Sequence, residues 1–288
     1  MDSNMVRRVS FAVVAIPLLV GIVWFGEWPL AVLLMLASVL GARELFDLAE
    51  RHAVVPLRYL GLALSAAVPG FMMLLLEQAP ARILFTDQWG YLILLAVLLV
   101  VGAAVFTRTV EQRPLASVAV TLLAPLYAAM LPSVAMLIRH AQWGSRSWAG
   151  TALVLFPLVI TWVCDSAAMF AGRRIGGAKM APTISPGKTW AGGIAGVVGG
   201  TLVGALFALF VLPRVGIELN VSATIALAIA ISVLGQVGDL AESLFKREAG
   251  VKDSSALIPG HGGVLDRLDS LYFAIPVAAA GFHLMGIM

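Results

Sequence analysis

Cysteine is all but missing. Cys164 stands alone among 288 residues, which excludes an intrachain disulfide framework and leaves the redox compartment open. Charge is scarce too: Lys, Arg, Asp and Glu make up 12% of the chain, against about 25% in an ordinary soluble domain. With 60% of residues hydrophobic, lipid is the expected solvent. The chain has no acidic or basic tail and no interleaving of aromatic with basic side chains, which argues against nucleic-acid binding. Net charge is only +3, so the placement of charges matters more than their sum. Period-two alternation, which a membrane barrel needs, is absent. So are internal repeats, which many transporters carry. No small-x-small cleavage site follows the first apolar stretch before Glu27, so Arg7 and Arg8 are read as preceding a retained span, not a removed leader.

What is present is a series of long apolar runs. A helix crosses a ~30 Å hydrocarbon core with about 20 apolar residues. Nine segments qualify: 9–26, 28–45, 57–76, 90–106, 115–138, 150–171, 190–212, 221–240 and 268–287. The expected fold is an all-α integral membrane protein of about nine transmembrane helices. Placing the N-terminus in the cytoplasm puts every Lys and Arg on that side except Arg82, Arg139, Arg146 and Arg214. That bias sets the N-terminus inside and the C-terminus on the opposite side. Residues 1–149 read as a scaffold of transmembrane helices with short loops. Residues 150–288 read as the helices that carry a catalytic site on the cytoplasmic face.

Two polar stretches break the apolar pattern, and both fall on the inside. The first is "TWVCDSAAMFAGRRIGGAKMAPTISPGKTWAGG", 161–193. Asp165 lies within the sixth span, where a carboxylate costs about 2.5–3.5 kcal/mol and is a functional candidate by default. A structural ion pair with Arg173 or Arg174 is the competing reading. "SPGKTW", 185–190, sets Ser185 and Lys188 at the entry to the seventh span, where free helix N–H groups and a lysine suit a phosphate. It is not a Walker A loop, because Pro182 stands where that loop needs Gly. Ser185 as a simple helix cap and Lys188 as an interface anchor remain open. Gly192, Gly196, Gly200 and Gly204 form a stripe for close helix packing, within the protomer or at a dimer interface.

The second stretch is "GDLAESLFKREAGVKDSSALIPGHGGVLDRLDS", 238–270. Asp239 and Glu242 share a face if the eighth helix continues. Lys246, Arg247 and Lys252 follow, then a loop with His261 between Gly260, Gly262 and Gly263, whose backbone can approach a ligand closely. Asp266 and Asp269 open the last helix. Carboxylates at two helix ends, joined by a basic, glycine-containing loop, suit Mg²⁺ with phosphate oxygens, since Mg²⁺ takes one or two protein carboxylates and completes its shell with phosphate and water. Capping by Asp266, a dipole role for Asp269 and lipid head-group binding by the basic residues are the alternatives. Residue chemistry alone thus reaches an integral membrane enzyme handling a phosphorylated substrate.

"SLFKREAGVKDSSALIPGHGGVLDRLD", 243–269, resembles the signature of the phosphatidate cytidylyltransferase family, the CDP-diacylglycerol synthases. The matching positions are Ser243, Lys246, Arg247, Lys252, Asp253, Ser255, Pro259, His261, Gly262, Gly263, Asp266, Arg267 and Asp269. "GDLAES" and "MAPTISPGKTW" (180–190) are similar as well. The resemblance implies transfer of the cytidylyl group of CTP to phosphatidate, giving CDP-diacylglycerol and pyrophosphate, with Mg²⁺ and room for a second cation. It implies a homodimer in a bacterial inner membrane, among membrane lipids. Asp239 and Asp266 would form the metal pair, with Asp269 and Asp165 contributing. Lys188, Lys246, Arg247, Lys252 and Arg267, with Ser185, Gly262 and Gly263, would cradle phosphates, and His261 would orient substrate. The chain departs from the family where "DSAAM" (165–169) replaces D-T-G-A-Y, placing Ala167 and Met169, and at Ala178 and Ala191, where a basic residue and Glu are common. A CTP-dependent lipid kinase and a catalytically silent relative or transporter are the rival readings.

Overall fold

The computed structural model describes residues 3–78, 89–257 and 262–288, with side chains for 13–77, 90–257 and 262–288. Helix dominates because backbone N–H and C=O groups in lipid must be satisfied within their own segment. The helices are α1 Ser3–Phe25, α2 Glu27–Glu50, α3 Arg58–Gln78, α4 Trp89–Thr107, α5 Pro114–His140, α6 Trp148–Ile175, α7 Trp190–Phe210, α8 Val221–Glu248, α9 Leu265–Leu268 and α10 Leu271–Leu284. Each apolar segment of the sequence coincides with a helix. Among the described residues seven of them, α2 to α8, are long and apolar enough to cross a membrane. The last segment, expected over 268–287, is helical only over the 14 residues of α10. At 1.5 Å per residue that is about 21 Å, short of a ~30 Å core.

Local chemistry sets the boundaries. Pro114 occupies the first turn of α5, where its missing N–H costs nothing. Pro125 falls mid-helix and removes a ladder donor, and the following stretch Pro125–Met130 loosens into a π-helical turn. Ser147 Oγ accepts from Gly150 N–H at 3.3 Å and Thr189 Oγ1 from Gly192 N–H at 3.1 Å, capping α6 and α7. Asn220 Oδ1 caps α8 through Ala223 N–H at 3.1 Å.

The chain divides into two compact units. One comprises Met1–Met136 with Ala249–Arg267, the other Leu137–Glu248 with Leu268–Met288. In the first, α2 packs along α3. Arg58 at the start of α3 reaches back to Glu50 at 2.9 Å and to Asp47. Phe46 is fully buried against Gly61, where any Cβ would collide with its ring.

In the second unit α6 lies along α7, and the glycine stripe explains how closely. A Cβ at Gly192 would fall 2.7 Å from Ala168 O, one at Gly196 3.0 Å from Cys164 O, and one at Gly204 2.6 Å from the Ala228 side chain on α8. The stripe therefore serves packing within the unit. Phe156, Phe207 and Phe282 meet edge-on or tilted at ring separations of 5.7 Å, joining α6, α7 and α10.

One element went unforeseen. Residues 179–189 form a hairpin of β1 Lys179–Ala181 and β2 Ser185–Thr189, antiparallel, with Lys179 opposite Thr189. "SPGKT" is thus a strand running directly into α7. Ser185 is not the helix cap; Thr189 is.

Candidate active site

In the second unit the polar residues collect at the ends of α6 and α8, at the hairpin and before α10. Helix α8 continues eight residues past its apolar part, to Glu248. That extension places Asp239, Glu242, Ser243 and Lys246 on neighbouring positions of one face. Gly238 lets the chain before α10 approach, since a Cβ there would fall 2.6 Å from the Asp269 carbonyl. Asp269 is thereby set beside Asp239. Asp239, Asp165 and Lys246 all lie within electrostatic reach of the Asp269 carboxylate, and its Oδ1 accepts from Ser270 N–H at 2.6 Å.

The hairpin delivers Lys188 to this cluster. Its Nζ lies 2.6 Å from Asp239 Oδ2, both side chains about a quarter exposed, and Ser243 Oγ reaches Asp239 Oδ1 at 3.4 Å. Arg247 Nε donates to Ile184 O at 3.0 Å, fastening the hairpin turn to the end of α8. Lys246 pairs with Glu242 at 3.0 Å, the glutamate fully buried. Asp165 makes no ion pair with Arg173 or Arg174 among the described residues, which removes the structural pairing considered for it.

In the first unit the signature loop closes on carboxylates. Asp266 Oδ2 accepts from Ser254 N–H at 2.9 Å, Ser254 Oγ–H at 2.8 Å and Gly263 N–H at 2.8 Å. Gly262 has φ +78°, and a Cβ there would press on the Asp266 carboxylate. The Gly263 N–H, expected to face a ligand, is directed to Asp266 instead. Lys252 and Arg267 are exposed. His261, like Pro259, lies outside the described residues.

Glu44 was not foreseen. It sits in α2, 3% exposed, and accepts from Ser255 Oγ–H at 2.7 Å and Val264 N–H at 3.0 Å on Oε1, and from Leu265 N–H at 2.9 Å on Oε2, which also shares the single Ser254 hydroxyl proton with Asp266, Ser254 Oγ lying at 2.9 Å. The signal was available: Glu44 falls inside the apolar segment 28–45, and an acid within a span is a candidate wherever it occurs.

Among the described residues no group of three or more His, Cys, Asp or Glu side chains could hold a metal ion alone. The donors present are nonetheless hard carboxylate oxygens, the type Mg²⁺ takes in ones or twos before phosphate and water complete its shell. The set suits a cation that arrives with a phosphorylated ligand.

Carboxylates and a lysine thus gather at the end of long apolar helices of the kind that cross a membrane. The Cytidylyltransferase family profile matches residues 6–285, and the chain belongs to that family. Similar proteins include the phosphatidate cytidylyltransferase of Haemophilus influenzae, 39% identical over 190 residues, 65% of this chain and 63% of that one. That of Brucella suis is 44% identical over 137 residues, 48% of this chain and 47% of that one. The Staphylococcus epidermidis enzyme is 43% identical over 128 residues, 44% and 48% of the two chains. The matched stretches thus span from about half to just under two thirds of these relatives.

Proposed function

We propose that the protein transfers the cytidylyl group of CTP to phosphatidate, forming CDP-diacylglycerol and releasing pyrophosphate. The observation that carries this reading is the meeting of Lys188 with Asp239 at 2.6 Å, which joins the two motif segments that resemble the family; the names of the relatives agree with it. An oxygen of the phosphatidate phosphate attacks the α-phosphorus of CTP. A new P–O bond forms as the bond from the α-phosphorus to the bridging oxygen breaks, and that oxygen leaves on pyrophosphate. The nucleophile is already ionised, so the protein's task is positioning and charge neutralisation.

Lys188 would take phosphate oxygens and offset the charge that builds on the departing pyrophosphate; Lys252 and Arg267, exposed in the first unit, would bind phosphate in their own right. Lys246 and Arg247 would act by fixing α8 and the hairpin, with Ser185 shaping the strand that carries Lys188, and Gly262 and Gly263 the loop that carries Asp266. His261 would orient substrate. Asp239, with Asp269 or Asp165 of the same unit, would hold Mg²⁺, which on binding would neutralise triphosphate charge; Asp266, in the first unit, is the other metal candidate that the resemblance implies. The reading includes nine crossings with the N-terminus in the cytoplasm, a multi-pass place in the bacterial inner membrane, and a site on the cytoplasmic face, supported by the inside bias of Lys and Arg. A homodimer, which the resemblance implies, would use a face other than the glycine stripe.

The test uses membranes containing the protein, phosphatidate, Mg²⁺ and CTP labelled at the α- or the γ-phosphate, with Asp239→Asn alongside. Lipid should acquire α-label, and the variant should lower its transfer about 10²–10³-fold. Transfer of γ-label alone to lipid alcohols would establish a kinase, and no transfer from either position would refute the reading.

A further inference from the structure

Glu44 has no role in the chemistry above, yet it is buried and engaged on both of its oxygens. Each of its oxygens meets one backbone N–H and one serine hydroxyl, the Ser254 proton being shared with Asp266. They come from both ends of one loop: Ser254 and Ser255 precede it, and Val264 and Leu265 close it. Bringing such ends together has an entropic cost that a shared acceptor offsets. Two of the donors are backbone N–H groups, one on each oxygen, which cannot turn to become acceptors, so both oxygens of the residue at 44 must accept.

The same hydroxyl serves two acids. Ser254 Oγ stands 2.9 Å from Glu44 Oε2 and 2.8 Å from Asp266 Oδ2. Gly263 is packed so tightly that a Cβ would overlap both Ser254 Oγ and Glu44 Oε2. Glu44, Ser254, Gly263 and Asp266 therefore form one layer, and moving Glu44 moves the group that holds the Asp266 carboxylate. Asp266 also takes the Gly263 N–H, whose neighbour Val264 is bound to Glu44.

We infer that Glu44 is a positioning residue: it clasps the two ends of the signature loop and so fixes the direction of the Asp266 carboxylate. The inference rests on the cytidylyltransferase reading for its effect on rate, and on geometry alone for the clasp. Glu44→Gln keeps the shape but presents N–H groups to donors. Glu44→Asp keeps two acceptor oxygens on a shorter arm.

The experiment compares wild type with Glu44→Gln, Glu44→Asp and Ser254→Ala in detergent micelles, by hydrogen–deuterium exchange and by steady-state kinetics with varied Mg²⁺. The clasp requires that amides 264–265 exchange at least tenfold faster in Glu44→Gln, with the α6–α8 helices unchanged. Positioning of Asp266 requires that kcat fall at least tenfold and the Mg²⁺ concentration for half-maximal rate rise at least fivefold, with partial recovery in Glu44→Asp. A simple loss of folded protein would lower the rate without moving Mg²⁺ half-saturation. Unchanged exchange at 264–265 overturns the clasp. Faster exchange with rate and Mg²⁺ dependence within twofold of wild type overturns the positioning role. If Glu44→Gln does not accumulate, Ser254→Ala, which removes only the shared hydroxyl, carries the same comparison. If wild type transfers no cytidylyl group, the functional reading falls, and the exchange result still decides the clasp.

Discussion

Asp239, in the "GDLAES" motif, and Asp266, in the signature that follows it, are both candidates to meet a metal, but the two regions treat them differently. Asp239, in the second unit, faces one lysine on a strand, at the end of a long and partly exposed side chain. Asp266, in the first, is held by two backbone N–H groups and a hydroxyl, and its layer continues into buried Glu44. A lysine can swing aside when a cation or phosphate arrives. A backbone N–H cannot. The contrast separates a carboxylate whose partner is exchangeable from one whose direction is built into the loop, and it predicts that the two regions fail in different ways.

Asp239→Asn should produce the largest effect. Removing its charge should cost about 10²–10³-fold in α-label transfer, the scale of losing one electrostatic contributor to a transition state. The stability change should stay within about 1 kcal/mol, because a partly exposed pair contributes little. Thermal unfolding alongside the transfer assay checks both. An equal loss of stability would erase the distinction drawn between the regions.

Gly263→Ala should behave in the opposite way. The added methyl meets the Glu44 carboxylate and the Ser254 hydroxyl in a closed layer, and overpacking of this kind costs about 1–3 kcal/mol. Denaturation in detergent should show that loss, with activity falling in the same preparations. Gly263→Ala at wild-type stability would mean that the loop yields easily and that Asp266 is no better fixed than Asp239.

How much of this was legible in the sequence depended on distance along the chain. The α8 face was readable because Asp239, Glu242 and Lys246 lie within two helical turns, and helical spacing alone puts them together. The nine apolar segments were readable because lipid selects for uninterrupted hydrophobic runs. The hairpin was not: two short strands containing Pro182 and Pro186 nearby look like a loop, and nothing local says that β2 runs without a break into α7. The direction of the glycine stripe was equally hidden, since periodicity shows a face but not what covers it. Glu44 lies 210 residues from Ser254. Its partners are mostly backbone groups, which carry no residue signature, so only its placement in an apolar segment could have drawn notice.

Lys188→Gln should sharpen the comparison at smaller cost. Stability should move by less than about 1 kcal/mol, as for other partly exposed pairs. The CTP concentration for half-maximal rate should rise about tenfold, because the lost cation would otherwise meet a phosphate, a contact made in ground and transition states alike. A fall in kcat with unchanged CTP dependence would instead assign Lys188 to the transition state alone, and make its contact with Asp239 a resting position with no part in binding.

Ser255→Ala should have the least effect and is the most discriminating within the clasp. Its hydroxyl donates to Glu44 Oε1 at 2.7 Å, and Val264 N–H donates to the same oxygen at 3.0 Å. Hydrogen bonds to a charged group contribute about 1.5–3 kcal/mol when both partners are buried, but Ser255 is only half-buried and water can replace it. The expected loss is therefore about 1 kcal/mol or less, with activity within a few-fold of wild type. Because Ser254 bridges to Asp266 and Ser255 does not, Ser254→Ala should exceed Ser255→Ala in its effect on Mg²⁺ dependence even where the two match in stability. Equal Mg²⁺ shifts in the two variants would mean that Glu44 steadies the loop as a whole and that no specific path leads through Ser254 to Asp266.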